Sequence, residues 1–389
     1  MGFNKVDRLP ARCREPMDLN QCMKSQEEML LSCDRRMFTL IPTGFKWLDK
    51  KLGGGLHATD IFLLGGKQNL GKTAFALQWF RYIAANLQPR AFPIFLCYEH
   101  MEIELYYRIL CLQSALTAER TGKDPFMVRD LENAYLQTVE LIEEAKKVGK
   151  EIPVMDTMLS FLPSSASAVI DDIGKFKSNL WLVTGVPNYT TTDAIRVYLQ
   201  RCRAQFNLPM VLFIDYLQRI PIYLQSGVIL TSEQRVEYVL RELDSIAKEF
   251  TIPIVAIAGA DEKALRQGRV HLENLFGTNA LQYDPSVAGI LNFDHADSEN
   301  LKYARFSDEK NRRGPTDLEC IIPFDGPHYR FLTEQAQEVP IEKSWQMERH
   351  GLREEIQNQQ LVKIFGELVH REDHPSKSEP SGPASPASQ

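Results

Sequence analysis

From Ile61 to Leu77 an apolar run, a glycine-rich loop and a helical pattern follow one another without interruption. Ile61-Phe62-Leu63-Leu64 leads into Gly65-Gly66, and Gly66-Lys67-Gln68-Asn69-Leu70-Gly71-Lys72-Thr73 fits G-x-x-x-x-G-K-[ST]. A strand, a loop of this composition and a helix in that order predict an α/β fold whose loop lies at the carboxyl end of a parallel strand. The glycines let the loop curl so that backbone N–H groups point inward at phosphate oxygens, and the following helix adds its positive end. Gly66, Lys67, Gln68, Asn69, Leu70, Gly71, Lys72, Thr73 and Ala74 are the expected ATP-binding residues. Lys72 is expected on the β- and γ-phosphates, and Thr73 on Mg²⁺ through its hydroxyl. The strand before the loop and the helix after it argue against an incidental match.

Three more apolar runs follow: Phe92 to Tyr98, Met210 to Ile214 and Ile252 to Ala258. Such continuous runs suit central parallel strands buried on both faces. Between the last two, Val236, Val239, Leu240, Leu243, Ile246, Ala247 and Phe250 recur at helical spacing and predict one buried helix face. Asp215 ends the Met210 run, where a carboxylate can order Mg²⁺ and its water shell; the bland reading is an aspartate capping a turn. Glu99 ends the Phe92 run, which is expected to lie next to the loop-bearing strand. There it can orient and deprotonate an attacking water, with a solvated glutamate as the competing reading.

The 389 residues carry a net charge of −6, with 44% hydrophobic and 25% charged side chains, which excludes collagen-like, wholly disordered and polycationic chains. No apolar run reaches the ~18 residues of a membrane span, so no membrane partner is expected. The beginning, MGFNKVDRLPARCREP, lacks an apolar signal region. Seven scattered cysteines without a CxxC pair suit reduced thiols and a cytoplasmic location. Four stretches are expected: an N-terminal extension over 1–37, with a possible helix from Met17 to Cys33; an ATPase domain over 38–332; a polar helical extension over 333–370; and a disordered Ser/Pro-rich tail over 371–389.

The run TGFKWLDKKLGGGLHATDIFLLGGKQNLGKTAFALQ resembles the opening of RecA-like ATPases of the DnaB, RadA and KaiC kind. FLCYEHM, VLFIDYLQRI and EKNRRGPTDLECIIPFDG are similar to DnaB-type segments and occur in the family's order. The resemblance covers about Ile41 to Leu332 and implies the C-terminal motor domain of a replicative hexameric helicase: a RecA-like P-loop core with a central, mostly parallel sheet, ATP and Mg²⁺ as ligands, and single-stranded DNA as partner. It makes Glu99 the catalytic base. It makes Lys310 and Arg312 the lysine and arginine that reach a neighbouring subunit's nucleotide, which requires a homo-oligomeric ring. A basic hairpin facing solvent is the alternative at those two positions.

The sequence departs from the family in several places. The sensor glutamine expected after IPIVAIA is replaced in Ala258-Gly259-Ala260-Asp261-Glu262, and the DNA-contacting Arg-Glu-Ser-Gly stretch reads Phe276-Gly277-Thr278-Asn279. Nothing reads as the primase-recruiting N-terminal domain, and extra material occupies Pro153 to Leu180. Lys263, Arg266 and Arg269 are the candidate DNA contacts, in a loop after the fourth strand, against a solvated basic loop as the alternative. A regulatory or scaffold ATPase of the KaiC or RadA kind, without unwinding, is the competing function.

Overall fold

The structure is a computed structural model, and it describes residues 15–86, 90–223, 230–260, 269–277, 280–298, 300–316 and 318–339. In chain order the strands are β1 (Ile61–Gly66), β2 (Phe92–Cys97), β3 (Trp181–Thr184), β4 (Met210–Asp215), β5 (Ile254–Gly259), β6 (Val287–Ala296), β7 (Leu301–Asn311), β8 (Glu319–Asp325), β9 (Arg330–Phe331) and β10 (Gln337–Val339). They form one sheet in the order β10-β8-β7-β6-β1-β5-β4-β2-β3, with β9 on β8. The strands from β6 to β3 run parallel, and β6, β7, β8 and β9 pair antiparallel. Apart from Gly259, every residue of β1, β2, β4 and β5 is buried, which is why these strands read as unbroken apolar runs.

The helices are α1 (Leu19–Leu31), α2 (Lys46–Lys51), α3 (Lys72–Ala85), α4 (Glu102–Thr121), α5 (Val128–Lys147), α6 (Val154–Ser160), α7 (Ala166–Gly174), α8 (Thr192–Phe206), α9 (Ser232–Phe250) and the single turn α10 (Ala280–Tyr283). α3 packs with β1 and the β7–β9 strands around Phe45, Phe75, Trp79, Phe306 and Phe331, while α8 and α9 close the opposite face of the sheet. In α9 the buried residues are the seven expected from their spacing, Val236 to Phe250. Burying each large aliphatic of that set stabilises by about 1.5–3 kcal/mol. Thr231 caps α9 by accepting from the Gln234 N–H at 3.2 Å, and Gln234 Oε1 accepts from the Thr231 N–H at 3.0 Å.

Three boundaries differ from the sequence reading. β2 is not beside β1, because β5 and β4 lie between them; a helical crossover returns the chain in parallel without dictating which strand it lands beside. The sheet also continues past Leu332, through a 3₁₀ turn at Thr333–Gln335 and into β10 at the edge. The extra material before β3 becomes α6 and α7, whose Ala166 and Val169 pack with Leu110, Phe126 and Leu131 of the α4–α5 region. The expected N-terminal helix is present as α1, and it buries none of its residues. Residues 1–14 and 340–389, with the expected helical extension and tail, lie outside the described residues.

Candidate functional site

Asn69, Gly71, Lys72, Thr73, Glu99, Asp215 and Gly259, from four strand ends, line a cavity of about 750 Å³. Two glycines shape the loop at its mouth. Gly66 has φ +145°, and a β-carbon there would come within 2.3 Å of the Leu291 carbonyl oxygen. Gly71 has φ +80° and would bring a β-carbon to 3.0 Å from the Phe324 ring. Both positions exclude other residues, by backbone conformation and by crowding. Gly71 is also the N-cap of α3, where no side chain accepts a hydrogen bond and no acidic residue occupies the first turn. The N–H groups there are open to an anion.

The Lys72 ammonium donates to the carbonyl oxygens of Gly66 (3.0 Å) and Lys67 (2.6 Å), so it folds back over its own loop. Burial pushes its pKa down to about 8 against the pull of Asp215 and Glu99. The Thr73 hydroxyl donates to Asp215 Oδ2 at 2.7 Å across the strand ends. Burial raises Asp215 to about 6; the Thr73 hydrogen bond and the Lys72 charge oppose it, and the nearby Glu99 adds to it. A hydroxyl and a buried carboxylate in contact are the oxygen donors a hard divalent cation takes, so the residues fit Mg²⁺. The loop, the open helix terminus and the buried ammonium fit a polyphosphate.

Glu99 reaches this cavity because β2 neighbours β4: Cys97 is in register with Asp215, and the Tyr98 N–H donates to the Asp215 carbonyl at 2.7 Å. The β2–β4 contact therefore does what adjacency to β1 was expected to do. Sequence reasoning missed several lining residues: His100, Arg108, Gln218, Arg219, Phe324 and Tyr329. Phe331, next to this group, is locked to α3 by Gln78, which donates to its carbonyl at 2.9 Å and accepts from its N–H at 2.8 Å. Only Arg108 carried a readable signal, its place within a helix that begins just after Glu99.

Lys310 and Arg312 stand elsewhere, at the end of β7 and in the turn beyond it, and neither lines the cavity. The Lys310 ammonium donates to the carbonyls of Gln282 (2.6 Å) and Tyr283 (2.5 Å), and Arg312 donates to the Tyr283 carbonyl. Partial burial, with Arg312 beside it, pushes Lys310 down to about 8. Arg313 ties the turn to buried Asp60 at 3.1 Å. Of the candidate DNA contacts, Lys263 and Arg266 lie outside the described residues. Arg269 is a correction: its guanidinium pairs with the buried Glu319 carboxylate on β8, so it braces the sheet and is not displayed on a loop.

Residues 41–333 match the family of the DnaB-like helicase C terminal domain. The chain belongs to that family. It is 26% identical over 293 residues to the replicative DNA helicase DnaB of Geobacillus stearothermophilus, covering 74% of this chain and 55% of the relative. Identity is again 26% over 284 residues to the replicative DNA helicase DnaC of Bacillus subtilis (strain 168), covering 71% and 53%. The chain thus spans about half the length of these curated relatives. Among solved structures, one ATPase domain superposes with a TM-score of 0.57 at 16% identity, covering 82% of this chain and 99% of that one. A DnaB-like replicative helicase, studied with its primase interactions, gives 0.56 at 16% identity, covering 82% and 67%. The fold of this DnaB-type domain is RecA-like. No described helix is long and apolar enough to cross a membrane.

Proposed function

We propose that the chain hydrolyses ATP as the motor domain of a homo-hexameric ring that moves on single-stranded DNA in the cytoplasm. One observation carries this reading: Lys72, Thr73, Asp215 and Glu99 converge on one cavity while Lys310 and Arg312 of the same chain stay outside it. In the reaction, the N–H groups of the loop and of the α3 terminus hold the phosphates, and Lys72 exchanges its carbonyl partners for β- and γ-phosphate oxygens. Thr73 and Asp215 would hold Mg²⁺, which when bound draws charge off the transferring phosphoryl group. Glu99 takes the proton of the attacking water. The cations that complete the site come from the next subunit's β7 end, where Lys310 and Arg312 give up carbonyl contacts for the developing phosphate charge.

Lys263 and Arg266 remain the proposed DNA contacts, through sequence-independent phosphate pairing. The relatives are replicative helicases, which supports the motor over a regulatory ATPase. The test is steady-state ATP hydrolysis with and without single-stranded DNA. Severalfold stimulation that fades with added salt is expected. Hydrolysis that DNA never changes would overturn the motor, and a chain that hydrolyses no ATP would overturn the ATPase.

A further inference from the structure

Arg108 projects into the cavity from the second turn of α4, opposite the loop that carries Lys72. Its Nη2 lies 3.4 Å from His100 Nδ1, and its guanidinium carbon lies 5.1 Å from the centre of the Tyr329 ring. Burial, and then Arg108 itself, lower the pKa of His100, which favours the neutral ring that can accept this hydrogen bond. Among the described residues, no carboxylate comes within ion-pairing distance of Arg108. That sets it apart from Arg196, Arg269, Arg305, Arg313 and Arg330, each of which pairs with an acid.

A guanidinium held by a neutral imidazole and an aromatic face, in a cavity built for phosphates, retains donors and an unneutralised charge. Five fixed N–H donors suit a phosphoryl group bidentately. The other lining arginine does not have this character, because Arg219 is exposed and donates to the Tyr216 hydroxyl at 2.6 Å. Lys72 enters from the β1 side of the cavity and Arg108 from the β2 side, so the two approach a bound polyphosphate from different directions.

We propose that Arg108 is a substrate-contacting residue that binds the terminal phosphate of the nucleoside triphosphate within its own subunit. This rests on the ATPase reading above, and it adds a cation from the same chain to those of the neighbour. A contact to the terminal phosphate stabilises ATP over ADP, whereas a residue that only props up the cavity supports both alike. Charge-assisted hydrogen bonds of about 1.5–3 kcal/mol correspond to roughly a ten- to hundredfold change in affinity.

The test measures binding of ADP and of the non-hydrolysable analogue AMP-PNP, each with Mg²⁺, to the full chain and to Arg108→Gln and Arg108→Lys. Arg108→Gln should bind AMP-PNP about ten- to hundredfold more weakly with ADP affinity nearly unchanged, so that retained ADP binding reports an intact fold. Arg108→Lys should recover part of the loss. Equal weakening of both nucleotides, or no change in either, would overturn the assignment of Arg108 while leaving the ATPase reading in place. Failure of the unaltered chain to bind either nucleotide would overturn that reading instead.

Discussion

At the carboxyl ends of β1, β2 and β4, charged side chains face one another: Thr73 donates to Asp215, and Lys72 and Glu99 share their cavity. On the antiparallel side of the sheet, the two cations at the end of β7 meet only main-chain oxygens, those of Gln282 and Tyr283. The first arrangement is self-contained, since its groups already shift one another's pKa values. The second is held in place without being neutralised, because carbonyl dipoles orient an ammonium or guanidinium but leave its charge intact. One region binds within a single subunit, and the other is equipped to serve a second one.

The hardest test of the self-contained region is Lys72→Ala. It removes the cation on the β- and γ-phosphates, and hydrolysis measured by phosphate release should fall to background. Near-normal turnover with Mg²⁺ present would mean that this loop is not the site. The other region is tested by Arg312→Ala, which should cut turnover by roughly 10³–10⁵ while nucleotide still binds. Mixing Arg312→Ala with Glu99→Gln subunits separates the two regions directly. If the arginine acts on the next subunit, some interfaces in mixed rings pair an intact Glu99 with an intact Arg312, and a fraction of activity returns. Mixtures as inactive as either parent, despite demonstrated subunit exchange, would count against the shared site.

Glu99→Gln alone should slow turnover by about 10²–10⁴ and leave binding intact, since an amide cannot accept the water's proton. Binding that drops in parallel with turnover would make Glu99 a structural residue. A smaller effect follows from the elevated pKa of Asp215, about 6 in the free chain. Below that pH the carboxyl holds a proton that Mg²⁺ must displace. Mg²⁺-nucleotide affinity should therefore fall about tenfold per unit as pH drops through 6 toward 5, and level off above 7. The same raised pKa means that Asp215 stabilises the nucleotide-free fold most in acid and loses that contribution as pH rises through about 6. Titration calorimetry on Asp215→Asn should show the pH dependence gone; its persistence would assign the proton to another group.

The self-contained region was the more legible in the sequence, for physical reasons. Its loop is one contiguous segment, and the flanking strand and helix follow from local periodicity, as the buried face of α9 also does. Asp215 and Glu99 could be found because a parallel sheet delivers strand ends to its ligand. Strand order could not be read, because nothing local records that β4 and β5 separate β1 from β2. The partners of Arg108 and Arg269 were hidden for the same reason: Tyr329 and Glu319 lie far along the chain and arrive through β8 and the turn after it. A basic residue in a loop looks solvated until the strand that neutralises it is placed.

Gly259 probes the passage between the two regions, with the smallest expected effect. It ends β5, lines the cavity, and its carbonyl accepts the Phe276 N–H at 2.9 Å, so it lies between the nucleotide site and the proposed DNA-facing segment. A β-carbon added there meets nothing within 4 Å, and its backbone is not left-handed, so Gly259→Gln has room for its side chain. Replacing a strand glycine should if anything stabilise the fold, by about 0.5–1 kcal/mol. If this position is where coupling is weakened, DNA-stimulated turnover should rise about fivefold, the lower end of typical coupling energies, with the DNA-free rate unchanged. A rise in both rates would signal a change in the catalytic cavity itself. No rise in either, with melting temperature maintained, would move the break in coupling to the segment from Phe276 to Asn279.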